Sequence, residues 1–149
     1  MVGAVIVAHS HIGRELIATA EYIAGEIEGI VPVSIGIGTN VFEARKRISQ
    51  AVSQVDQRDG ILLLVDVFGS SLSSIVFSFL SNEKTEVITG VNLPMIVTFR
   101  NYRESLGLPE LAKAVQLSGT RSVMRARDLT EKKGAFGRET GPRARQLSQ

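Results

Sequence analysis

Four short strand-like runs, residues 3–8, 30–37, 61–65 and 86–89, alternate with stretches whose apolar residues recur at helical spacing. The first run, Gly3-Ala4-Val5-Ile6-Val7-Ala8, is unbroken in small and β-branched residues, as a strand covered on both faces requires. From Ile12 the period changes. Ile12, Leu16, Ile17, Ala20, Ile23, Ala24 and Ile27 make an apolar stripe, with Arg14, Glu15, Glu21 and Glu26 mostly opposite. The second run contains Pro32, which cannot donate to a ladder and so predicts an early strand position or a sheet edge. Asn40 followed by Glu43 resembles a capping box, and Ala44, Ile48, Ala51, Val52 and Val55 supply the buried stripe of the helix it opens. Ile61-Leu62-Leu63-Leu64-Val65 is the most apolar run and predicts a central strand. Leu72, Ile75, Val76, Phe79 and Leu80 continue as a helix, and Pro94 suits the first turn of another through residues 95–99. After a break at residues 106–109, a short helix over 111–117 ends at Gly119. Residues 122–126 read as a short edge strand or edge piece, and from Thr130 onward no apolar period survives.

Strands alternating with helices in this way predict an α/β fold. Its core is an open, mostly parallel sheet of four strands, with residues 122–126 as the additional edge element and helices on both faces. Residues 1–128 form the expected domain and residues 129–149 a flexible basic tail. The charge supports that division. Residues 1–128 carry 12 Lys/Arg against 13 Asp/Glu, whereas residues 129–149 carry five against two. A nearly neutral body argues against nucleic-acid binding. Arg45-Lys46-Arg47 falls mainly on the polar side of its helix and reads as a solvated face. The absence of cysteine excludes disulfides, thiolate chemistry and cysteine-based metal sites, and is compatible with the cytoplasm. The first apolar run is too short for a signal sequence or a membrane span.

The chemistry collects where the first and third strands end. His9 closes the first run and Asp66 follows the third, so neighbouring strands would bring both to one rim. A carboxylate bonded to one ring nitrogen fixes the tautomer, aims the other nitrogen outward and stabilises the cation formed during attack. Helix starts near residues 10–12 and 70–72 would add backbone N–H groups suited to an anion, with Ser71 and Ser10 as hydroxyl donors. No P-loop, Gly-x-Gly-x-x-Gly or acidic magnesium cluster is present, and one rim imidazole without thiolates does not suit zinc. A receiver domain phosphorylated on Asp66 would need acidic residues after the first strand, where His9 and His11 stand instead. A phosphoryl-accepting histidine is the reading that uses both residues. His11 is read as a rim residue with no chemical role. The pattern alone leaves open that His9 caps or packs and that Asp66 is a turn residue.

Three ordered motifs carry a resemblance. Val7-Ala8-His9-Ser10-His11-Ile12-Gly13, Asp66-Val67-Phe68-Gly69-Ser70-Ser71-Leu72 and Gly90-Val91-Asn92-Leu93-Pro94-Met95 resemble the mannose-type IIA component of the bacterial phosphoenolpyruvate:sugar phosphotransferase system (PTS). The resemblance covers residues 1–128. It implies a cytoplasmic phosphotransferase component in which His9 is phosphorylated by the carrier protein HPr and passes the group to a IIB protein. Asp66 is then the orienting partner and Ser71 lies beside the phosphoryl group, with Ser10, Gly69 and Ser70 as phosphoryl-binding residues and no cofactor or metal. It also implies a homodimer with an exchanged C-terminal strand, a role for residues 122–126, and contact with the membrane only through a permease. Ser10 and Ser70 each replace a family glycine and Leu72 replaces a proline, which leaves partner and sugar specificity open. A regulatory phosphohistidine protein of an incomplete system is the alternative, as is the phosphotransfer subunit of dihydroxyacetone kinase, which also carries a His-Ser dipeptide. Because the chain stops soon after residue 128, the acceptor is expected to be a separate protein.

Overall fold

A computed structural model describes residues 1–55, 58–69 and 71–130. Its compact unit is Met1–Gly119, with Thr120–Gln149 as a second unit. Strands β1 (Gly3–His9), β2 (Ile30–Ile35), β3 (Ile61–Val65) and β4 (Thr85–Thr89) form one parallel sheet in the order β2-β1-β3-β4. Val5 of β1 sits opposite Val31 of β2 on one side and Leu63 of β3 on the other. Pro32 accordingly lies in an edge strand, where its missing N–H removes nothing from a central ladder.

The helices are α1 (Ile12–Ala24), α2 (Val41–Gln54), α3 (Ser71–Phe77), α4 (Leu93–Tyr102) and α5 (Leu108–Arg121), with a 3-10 turn at Ser78–Ser81. Alternation along the central strands splits the core in two. Ala4, Ile6, Ala8, Leu62 and Leu64 pack with Ala20 of α1, with Met95, Ile96 and Phe99 of α4 and with Leu111 and Val115 of α5. Val5, Val7, Leu63 and Val65 face the other way, onto Ala44, Ile48 and Ala51 of α2 and Leu72, Ile75 and Val76 of α3. Both faces are therefore covered, and β1 and β3 are buried along their lengths except at His9.

The structure corrects three expectations. Ile12 and Ile23, assigned to the buried stripe of α1, are exposed because the helix centres its contact on Gly13 and Ala20. A Cβ at Gly13 would lie 3.1 Å from Ile6 Cγ2, so glycine sets the close approach and the isoleucines fall to the flank. Gly119 does not end α5, which continues to Arg121; a Cβ there would lie 2.7 Å from Met95, so this glycine serves packing. Residues 122–126 form no strand: 122–125 are a turn and irregular backbone and 126 already begins a helix, and no described segment offers them a ladder. Residues 126–130 are helical, and Arg125, just before them, pairs with Asp128 at 2.9 Å. The remainder of the expected tail, residues 131–149, lies outside the described residues.

Candidate functional site at the C-terminal rim

The order in which strands are added reverses between β1 and β3: β1 leads outward to β2, while β3 leads the other way to β4. Such a switch point opens a crevice beyond the strand ends. His9, the last residue of β1, and Asp66, the first after β3, flank it. Although 57 positions apart in the chain, they make three contacts. The His9 backbone N–H donates to Asp66 Oδ2 at 2.9 Å. The ring Nδ1 lies 3.0 Å from Oδ2 and 3.2 Å from Oδ1. Facing an ionised carboxylate, which only accepts, Nδ1 carries the proton and Nε2 keeps the lone pair. No described residue bonds Nε2, and the side chain of His9 is 47% exposed against 11% for Asp66. The pair thus combines a sheltered carboxylate with an imidazole open to solvent.

The loops on either side are built for tightness. Ser10 adopts φ +55°, the left-handed region, and its N–H donates to Ile35 O at 3.3 Å. That turns the chain from β1 into α1 within two residues, His11 occupying the N-cap without a side-chain cap bond. His11 is exposed, and its Nδ1 lies 3.2 Å from an Arg14 guanidinium nitrogen. After β3, the Asp66 Oδ1 accepts from Val67 N–H at 2.8 Å, which orients the carboxylate from its own loop. Gly69 follows at φ +96°, with no atom within 4 Å of where a Cβ would stand. Its N–H donates to Ser73 Oγ at 3.0 Å. Ser71 opens α3 and is exposed, while Ser70 lies outside the described residues.

Sequence reasoning missed Ser73. Its hydroxyl also donates to Val67 O at 2.9 Å, so one buried side chain ties two points of the Asp66 loop. The available signal was a hydroxyl one position beyond buried Leu72 and three before buried Val76, on the inner side of a short helix.

The third motif serves the scaffold. Gly90 turns at φ +80°, Val91 N–H donates to Val65 O at 3.0 Å, and Asn92 Oδ1 caps α4 through Met95 N–H at 3.3 Å. Among the described residues no group of three or more His, Asp or Glu could hold a metal ion, and no helix is long and apolar enough to cross a membrane.

A sequence profile of the EIIA-man family, described as PTS system fructose IIA component, matches residues 3–116. The chain belongs to that family. As a IIA component of mannose type, it takes part in phosphoryl transfer within a sugar phosphotransferase system. The fructose-specific EIIA component of Bacillus subtilis (strain 168) is 23% identical over 141 residues, covering 94% of this chain and 97% of that one. The mannose-specific EIIAB component of Escherichia coli (strain K12) is 34% identical over 97 residues, which is 62% of this chain and only 29% of the longer relative. Among solved structures, phosphotransferase component EIIA of Streptococcus agalactiae aligns with TM-score 0.77 at 22% identity over 86% of this chain and 99% of that one. The mannose/sorbose-specific IIA subunit of Enterococcus faecalis aligns with TM-score 0.72 at 18% identity over 83% and 92%. These structural likenesses concern the fold. In this IIA chain the departures from the family pattern are structurally distinct: Ser10 takes a left-handed backbone, whereas Leu72 is buried in the core.

Proposed function

We propose that the chain is a cytoplasmic phosphocarrier that accepts a phosphoryl group on Nε2 of His9 from phospho-HPr and donates it to a IIB protein during phosphoenolpyruvate-dependent sugar uptake. The observation that carries this reading is the asymmetry of the His9 ring: Nδ1 is held by Asp66, while no described residue bonds Nε2. The Nε2 lone pair attacks the phosphorus of the donor's phosphohistidine. A new N–P bond forms as the donor's N–P bond breaks, its electron pair returning to the donor imidazole. Positive charge developing on the His9 ring is stabilised through the Nδ1–H bond to Asp66. Ser71 is assigned to the phosphoryl group directly. Ser10, Gly69 and Ser70 are assigned to binding it, as the resemblance implies. Transfer to the acceptor is the same displacement in reverse, so no cofactor is required.

A protein rather than a small molecule as donor is supported by the rim itself. Ile37, Val41 and Phe42 after β2, together with Val67 and Phe68 after β3, are large apolar side chains left exposed. Apolar exposure on loops that leave the same end of the sheet as His9 suits a protein partner. A homodimer also belongs to this proposal, as the resemblance implies.

The test is incubation with labelled phosphoenolpyruvate, enzyme I and HPr, comparing the parent with His9→Ala and His11→Ala. Label is expected on the parent and on His11→Ala, and absent from His9→Ala. Label persisting on His9→Ala overturns the assignment.

A further inference from the structure

We propose that Ser73 is a positioning residue for phosphoryl transfer, acting on His9 through the loop that carries Asp66. The inference rests on the phosphocarrier reading and extends it to a residue remote from the reacting atoms. The loop from Asp66 to Gly69 leaves the sheet with much of its side-chain surface in water, Val67 and Phe68 being 53% and 68% exposed. Exposed loops of this kind open readily unless something holds their backbone.

What holds this one is a hydroxyl that is 2% exposed. Ser73 Oγ donates to Val67 O at 2.9 Å and accepts from Gly69 N–H at 3.0 Å, using its donor and acceptor capacity together. Those two groups belong to the consecutive peptide units that follow the 66–67 peptide. The 66–67 peptide itself provides the Val67 N–H that orients Asp66 Oδ1 at 2.8 Å. Asp66 Oδ2 then holds both the backbone N–H and Nδ1 of His9. The linkage therefore runs from a buried hydroxyl, through pinned backbone, to the carboxylate that sets the tautomer of the ring. Gly69 supports the same geometry, since its φ of +96° turns its N–H back toward α3. An alanine at 73 would remove both bonds from the loop while leaving the apolar contacts of Leu72, Ile75 and Val76 in place.

The experiment compares initial rates of phosphoryl uptake from phospho-HPr for Ser73→Ala, Ser73→Cys and Ser73→Thr, with ¹⁵N spectra of the His9 ring and circular dichroism of each variant. Cysteine keeps the volume but bonds weakly, so it supplies the readout if alanine does not fold; threonine retains the hydroxyl. Expected is a fall in kcat of about tenfold for alanine and cysteine, with the donor KM unchanged, a mixed ring tautomer, and recovery with threonine. In an Asp66→Ala background the same Ser73 change should have no further effect. The proposal is overturned if alanine and cysteine match the parent, or if they slow the Asp66→Ala chain by the same factor. It also fails if the loss merely follows the folded fraction. Full speed in Asp66→Ala overturns it as well, because the linkage runs through that carboxylate, whereas label on His9→Ala would instead sink the phosphocarrier reading and is distinguishable from those results.

Discussion

One carboxylate oxygen of Asp66, Oδ2, takes both the backbone N–H of His9 at 2.9 Å and its ring Nδ1 at 3.0 Å. The aspartate thus fixes the end of β1 and the tautomer of the ring with one group. Asparagine would fill the same space yet bring an NH₂ that can donate to Nδ1, moving the ring proton to Nε2 and removing the nucleophilic lone pair. Asp66→Asn is expected to remain folded and to take up the phosphoryl group about 10–100-fold more slowly. Rapid-quench labelling gives the rate, and ¹⁵N spectra show whether Nε2 has become protonated. A parent-like rate with a parent-like tautomer contradicts this role.

Ser10 carries a second prediction, on stability. Its φ of +55° is the only left-handed conformation of a non-glycine among the described residues. Such a backbone costs roughly 1–2 kcal/mol for an L-residue. Glycine would remove that strain but would add freedom to the unfolded chain, offsetting about 0.4–1 kcal/mol. Ser10→Gly is therefore expected to stabilise by about 0.5–1 kcal/mol, and Ser10→Val, β-branched at the same φ, to destabilise. Urea midpoints decide both signs.

Much of this fold was legible because β1 and β3 are apolar on both faces, and only a sheet with helices on each side covers such strands. Once β1 and β3 were neighbours, His9 and Asp66 had to share a rim, so their pairing followed from strand endings alone. What could not be read depends on three-dimensional approach. Ile12 and Ile23 match a helical period, but Gly13 brings α1 nearest to β1 and turns them outward. Gly119 looks like a helix stop and is instead the contact surface for Met95. The left-handed backbone of Ser10 had no local marker, since serine gives no sign of positive φ. The backbone bond from His9 to Asp66, and the pinning by Ser73, depend on loop paths that periodicity does not encode.

Asn92 separates scaffold from chemistry. Its Oδ1 caps α4 at Met95 N–H, and its Nδ2 donates to Gly119 O at 3.4 Å, joining α4 to α5. Loss of a side-chain N-cap typically costs about 1 kcal/mol. Asn92→Ala is expected to lose about that much stability while taking up the phosphoryl group at the parent's rate. A thermal melt and the labelling assay, run on one preparation, test both halves. A large loss of transfer in a folded variant would bring the third motif into the site.

Arg103 and Gly29 form a coupled pair at the opposite end of the sheet. Arg103 is 6% exposed; its Nε donates to Val2 O at 3.0 Å, and its guanidinium lies 5.6 Å from the Phe99 ring centre. It stitches the end of α4 to the start of β1, and Arg103→Ala is expected to cost about 2–3 kcal/mol through the lost charged hydrogen bond and stem packing. The guanidinium also lies where a Cβ on Gly29 would stand, and Gly29 itself has φ +77°. Gly29→Ala therefore meets two penalties, a collision and a strained backbone. Removing the arginine abolishes the collision but leaves the backbone term. In the Arg103→Ala background, Gly29→Ala should accordingly cost about 1 kcal/mol less than in the parent, while remaining destabilising. Denaturant melts of the two single variants and the double variant give this coupling directly. Strict additivity would mean that the guanidinium moves aside freely and that the close approach carries no energetic weight.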